Sequence, residues 1–108
     1  MKIDLTQNLY NANGEKLTIS NDAGKQEAPQ LGVLLKNIAL TELEKEETNK
    51  AKDFDIFMKL NEAKKEIDLT NEELVRLQNK LPKIYGILIY GQINSILEGK
   101  NNPLKPKE

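Results

Sequence analysis

The stretch Thr70-Asn71-Glu72-Glu73-Leu74-Val75-Arg76-Leu77-Gln78-Asn79-Lys80-Leu81-Pro82 decides how this chain folds. Thr70 with Glu73 three residues later is a capping box, in which each side chain satisfies a backbone amide that the helix start leaves open. Leu74, Leu77 and Leu81 then recur at helical spacing and define one buried face. Pro82 is expected to stop this helix and to form the first turn of the next. That last helix is expected over about residues 83–98, with Gly99 as its C-terminal stop.

Working back from this stretch, Ala51, Phe54, Phe57 and Met58 form an apolar stripe, widened by Leu60 and Ala63, and predict a helix over roughly 46–65. Thr41-Glu42-Leu43-Glu44 has the form of a second capping box, followed by an almost wholly polar run to Lys52. Leu31, Leu34, Leu35 and Ile38 predict a helix over about 30–40, opened by Pro29. Residues 20–29 are polar and read as a loop. Ile3 and Leu5, then Leu17 and Ile19, alternate with polar neighbours on either side of Asn11-Ala12-Asn13-Gly14. This pattern predicts a hairpin over 2–20.

The expected fold is therefore α+β, a short N-terminal β-hairpin packed on a compact bundle of three or four helices. A single domain spans 1–100, with the hairpin in 1–20 and the helical part in 30–99. Asn101 to Glu108, with Pro103 and Pro106, is expected to be a disordered tail.

Composition narrows the chemistry. The 108 residues carry fifteen Lys and one Arg against seventeen acids, a net charge of −1, and this lack of basic excess disfavours nucleic acid as a partner. The absence of Cys and His removes thiol chemistry, the commonest general base and the commonest metal ligand. Glu42, Glu44, Glu46 and Glu47 belong to a solvated charge run, and Glu72 and Glu73 are accounted for by the helix start. Gly14, Gly24 and Gly32 lack the spacing of a phosphate-binding loop. No catalytic residue, cofactor or metal is expected, and the chain is not expected to be an enzyme. The apolar run Ile84 to Leu97 is too short to span a bilayer and is interrupted by Gly91, Gln92, Asn94 and Ser95, so no membrane is expected and the protein should be soluble.

Two candidate sites remain. In the last helix Tyr85, Ile89, Tyr90, Ile93, Ile96 and Leu97 share one broad face, while Ile84, Ile87 and Leu88 lie opposite, beside Gly91 and Ser95. The second face is either core or a subunit contact, and Ile84, Ile87, Leu88 and Gly91 are the candidate oligomer interface. Arg76, Lys80, Lys83 and Tyr85 are the candidate site for an anionic ligand or partner, since a guanidinium and a helix start both favour phosphates and carboxylates. The competing view pairs Arg76 with Glu72 at i, i+4 and makes Tyr85 and Tyr90 core residues instead of a stacking platform.

In order and spacing the chain resembles a family of small uncharacterised proteins of tailed bacteriophages and prophages. The resemblance runs through the turn Asn13-Gly14-Glu15-Lys16, the helix start Gln30-Leu31-Gly32-Val33-Leu34-Leu35, the Lys/Glu-rich stretch, and Phe54-Asp55-Ile56-Phe57. It continues through Asp68-Leu69-Thr70-Asn71-Glu72-Glu73 and from Tyr85 through Tyr90-Gly91-Gln92-Ile93 to Leu97-Glu98-Gly99. It implies a phage context, in the host bacterial cytoplasm or the virion, and supplies no catalytic residues. The expected function is a non-enzymatic binding protein that inhibits or sequesters a host defence component or its signalling molecule. The alternative is a virion or head/tail assembly protein. Expected partners are a second copy of the chain, a host or phage protein, or a small anionic ligand.

Overall fold

The structure is a computed structural model that describes residues 1–20, 23–41 and 50–104. In chain order the described elements are β1 (Lys2–Asp4), β2 (Ile19–Ser20), β3 (Gln26–Glu27), α1 (Leu31–Leu40), α2 (Lys50–Glu62), β4 (Glu66–Asp68), α3 (Asn71–Ile84) and α4 (Ile87–Leu97). The class is α+β, with four helices and two small antiparallel sheets among the described residues.

The N-terminal reversal is present but narrower than expected. Asn11 turns the chain through its side chain, whose Oδ1 accepts from the amides of Asn13 and Glu15. Around it Tyr10 bridges Lys16, and the Leu17 amide donates to the Leu9 carbonyl. The outer arms part company. Ile3 pairs with Ile67 of β4 and Ile19 with Glu27 of β3, so the hairpin does not extend to residues 2 and 20. The local cause is Asp4, whose carboxylate accepts from the Thr6 amide and hydroxyl and ends β1 in a tight turn. The energetic cause is burial: Ile3 and Ile67 are both in the core, whereas Ile19 is exposed.

Helix α1 matches its prediction, with Leu31, Leu34, Leu35 and Ile38 all buried. Pro29 lies just outside the N-cap Gln30. The first helical amides are satisfied by the N-terminal segment, Leu31 donating to the Gln7 carbonyl and Gly32 to that of Leu5. That close approach favours glycine, because a Cβ at position 32 would lie 3.2 Å from the Leu5 Cβ, tighter than ordinary contact. Thr41 closes α1, its hydroxyl donating to the Asn37 carbonyl. Glu42 to Glu44 and the expected helix start at 46 lie outside the described residues.

In α2 the buried residues are Asp53, Ile56 and Leu60; of the predicted stripe Leu60 is buried and Phe57 and Ala63 pack against the core, whereas Ala51 and Phe54 face outward. Phe54 is exposed. The rotation brings a carboxylate inward, and the reason for it is the cationic pair on α3 described below.

The capping box at the start of α3 is formed, with the Glu73 amide donating to Thr70 Oγ1 at 3.2 Å and the Thr70 amide to Glu73 Oε1 at 2.9 Å. Pro82 does not end the helix, which runs on to Ile84 with the Tyr85 amide donating to the Leu81 carbonyl. Proline here forfeits one amide bond near an exposed helix end, a loss the last turn absorbs. The break falls at Tyr85-Gly86, and Gly86 is the N-cap of α4. Gly99 ends α4 at φ 87°, with the Gly99 amide donating to Ile96 and that of Lys100 to Ser95. Leu9, Leu31, Leu35, Leu60, Leu69, Leu77, Leu81 and Ile93 form the centre of the core.

Candidate functional site

Two buried polar centres hold the scaffold, and each consumes residues that could otherwise have bound a ligand. The first lies between α2 and α3. Asp53 Oδ1 accepts from Arg76 Nε at 2.8 Å and Nη2 at 2.6 Å, and Asp53 Oδ2 lies 2.7 Å from Lys80 Nζ. Lys80, only 3% exposed, also donates to the carbonyls of Ala39 and Thr41 at the end of α1. The ammonium thus uses its three donors and places positive charge at the negative end of a helix that has no basic residue in its own last turn.

The expected anion site is not met at this position. Arg76 and Lys80 are turned inward onto Asp53, and Lys83 is exposed. Tyr85 is half-buried with its hydroxyl against the Asn37 side chain, and burial pushes its phenol above the ordinary value while Asn37 opposes the shift. Glu72 accepts from Lys52 at 2.7 Å, and the nearby Arg76 charge adds to the pull of Lys52 that holds its carboxyl below the ordinary value. Nothing local in the sequence marks Asp53 as the partner of a residue 23 positions away.

The second centre is Gln92, 1% exposed inside a helix that carries no charged residue. Its Oε1 accepts from the Tyr10 amide at 2.8 Å and from Asn102 Nδ2 at 3.0 Å, and its Nε2 donates to the carbonyls of Tyr10 and Leu88. Asn102 is itself buried, so the chain beyond Gly99 is anchored at least to Leu104 instead of being loose from 101. Residues 105–108 lie outside the described residues. Among the described residues every buried side-chain polar atom has a hydrogen-bond partner.

A depression of about 320 Å³ beside the start of α3 is lined by Ile56, Lys52, Lys59, Glu72 and Glu73 among others. Its lysines are paired, Lys52 with Glu72 and Lys59 with Glu73 at 2.9 Å. Burial pushes the Glu73 carboxyl up, but the Thr70 amide and the Lys59 ammonium outweigh it and hold the group below its ordinary value. A depressed carboxyl contributes stability that is present above its unfolded value and is lost as the pH falls through the folded one. Denaturant midpoints should therefore decline as the pH drops below about 4.5. Glu73→Gln keeps an acceptor for the Thr70 amide and should flatten part of that decline; equal slopes in the two proteins would contradict the assignment.

The remaining feature is apolar. None of the ten residues from 82 to 91 is buried, although seven of them are Pro, Ile, Leu or Tyr. Ile87 is 92% exposed and Leu88 38% exposed. Ile84, Ile89, Tyr85 and Tyr90 lean on the core, which is completed by Ile93, Ile96 and Leu97. Of the second face of the last helix, Ile87 is left uncovered by the described chain, whereas Leu88 is more than half covered by it. Gly91 beside them is open, with nothing within 4 Å of a Cβ built there.

The fold and this surface define a small α+β scaffold that presents an uncovered apolar helix face. Compared with protein-family models, curated proteins and solved structures, the chain matches none. Among the described residues no group of three or more acids could hold a metal ion, and no helix is long and apolar enough to cross a membrane.

Proposed function

We propose that the chain is a non-catalytic binding protein that acts by occupying a protein partner through the exposed side of α4. The observation that carries this reading is the start of α4, where Ile87 stands almost wholly in solvent with the partly exposed Leu88 beside it. A contiguous apolar surface of this kind marks a contact site. From Ile84 to Leu97 no residue is charged, in a chain that is 31% charged, so the fitting partner is a protein surface apolar at its centre. Nucleic acid is a poor fit because this surface offers no cationic row.

The resemblance to small proteins of tailed phages supplies the setting, in which the protein inhibits or sequesters a component of host defence. A virion or assembly protein is the second reading, favoured by the same uncharged face, which suits repeated subunit contacts. Expression in a panel of bacteria carrying different defence systems tests the first reading. A restricted phage should regain plating on at least one of them, and Ile87→Glu should abolish the rescue. No rescue anywhere, or rescue indifferent to the substitution, would overturn it. An assembly protein would instead co-purify with virions.

A further inference from the structure

We propose that the partner covering α4 is a second copy of this chain, packed antiparallel across a two-fold axis near Gly91; this rests on the binding reading above and names its partner. Around a two-fold axis every residue meets its own surface, so a charge at the centre would face its like. The exposed side of α4 avoids this, since Ile87, Leu88, Gly91 and Ser95 follow one another along it without a charge.

Charged residues lie only at the ends of the stripe, Lys83 at one and Glu98 paired with Lys100 at the other. Lys83 is exposed in the last turn of α3 next to the start of α4, and Glu98 is exposed at the C-cap. Glu98 accepts from Asn94 and pairs with Lys100 at 3.3 Å, so it remains oriented at the helix end. Antiparallel packing brings the partner's Glu98 to the positive end of α4, whose N-cap Gly86 supplies no side-chain cap, and close to Lys83. Parallel packing would set like charge against like. With the axis near Gly91, Ile87 faces the partner's Ser95, Leu88 faces the partner's Asn94, and the two Gly91 residues meet across the axis, where a Cβ has open space.

Sedimentation equilibrium tests the arrangement on the full chain. The wild type should dimerise in about the micromolar range expected of a small apolar interface. Ile87→Glu should weaken dimerisation by about a hundredfold or more with an unchanged circular-dichroism spectrum, since its side chain touches little of its own fold. Lys83→Glu and Glu98→Lys should each weaken the dimer, and the double variant should recover it. The chain has no cysteine, so Gly91→Cys should oxidise to a covalent dimer while Asn79→Cys, exposed on α3, should not.

A wild type that stays monomeric at about 1 mM would overturn the second copy, as would a dimer indifferent to Ile87→Glu or a double variant no better than its parents. A monomer whose phage rescue is lost in Ile87→Glu overturns this proposal alone and leaves the binding reading standing. A dimer with no rescue in any host supports this proposal and removes the inhibitor reading.

Discussion

Asp53→Ala is expected to lower folding stability by about 3–5 kcal/mol, because it leaves two cations without their shared carboxylate in a nearly dry site. Asp53 is only 7% exposed, and its two oxygens divide the work, Oδ1 receiving Arg76 and Oδ2 facing Lys80. The loss is of the same order as the whole stability of many domains of this size. It should spread to α1, since Lys80 also holds the carbonyls that end that helix. The cost belongs to the broken pair and not to the ionic design as such. Asp53→Leu combined with Arg76→Met and Lys80→Met should therefore recover part of the stability, because apolar residues of similar volume can replace a buried ionic triad. Urea denaturation of the single and triple variants provides the check; a loss under about 1 kcal/mol for Asp53→Ala would mean that water reaches the cluster.

Gln92→Leu is expected to cost about 2–4 kcal/mol, even though leucine suits an apolar helix better than glutamine does. The substitution preserves volume but orphans both the amide and the carbonyl of Tyr10, together with the Asn102 amide. These groups lie 82 and 10 residues from Gln92, so its side chain ties the N-terminal turn and the C-terminal segment to α4. Asn102→Ala removes one of those bonds and should cost only about 1 kcal/mol. Thermal melts with amide exchange at Tyr10 test the pair. If Gln92→Leu were neutral, the Tyr10 backbone would have to be finding water in its place.

The helices were legible in the sequence wherever one face is purely apolar. Leu74, Leu77 and Leu81 mark α3, and Leu31, Leu34, Leu35 and Ile38 mark α1, because burial of a leucine stripe leaves little choice of orientation. The phase of α2 was not legible. Its inward residue is an aspartate that burial alone would turn outward, and only a partner on another helix reverses that. Strand β4 carries only a faint signal: Glu66-Ile67-Asp68-Leu69 alternates polar and apolar, but so short a stretch in a link looks like a loop until a partner strand is known.

The site divides in the same way. Arg76 and Lys80 look like a ligand site on a list of residues, and only three-dimensional pairing shows that their charge is spent internally. That α4 has a second apolar face could be read ahead of the structure, but the choice between core and contact for it could not, because that depends on how much of the helix the other elements reach. The glutamine inside that helix was the other available clue, since an amide among isoleucines is retained where it is fully hydrogen-bonded.

The most direct measurement of the central claim is amide exchange along α4 as a function of protein concentration. The first helical amides, at Ile87 to Ile89, have no intrahelical acceptor and should exchange quickly in an isolated molecule. If the exposed side of α4 is where this chain meets its own copy, exchange in residues 84–91 should slow markedly between about 5 and 500 µM, while residues 71–79 stay unchanged. Exchange in 84–91 at the same rate across that range would contradict it.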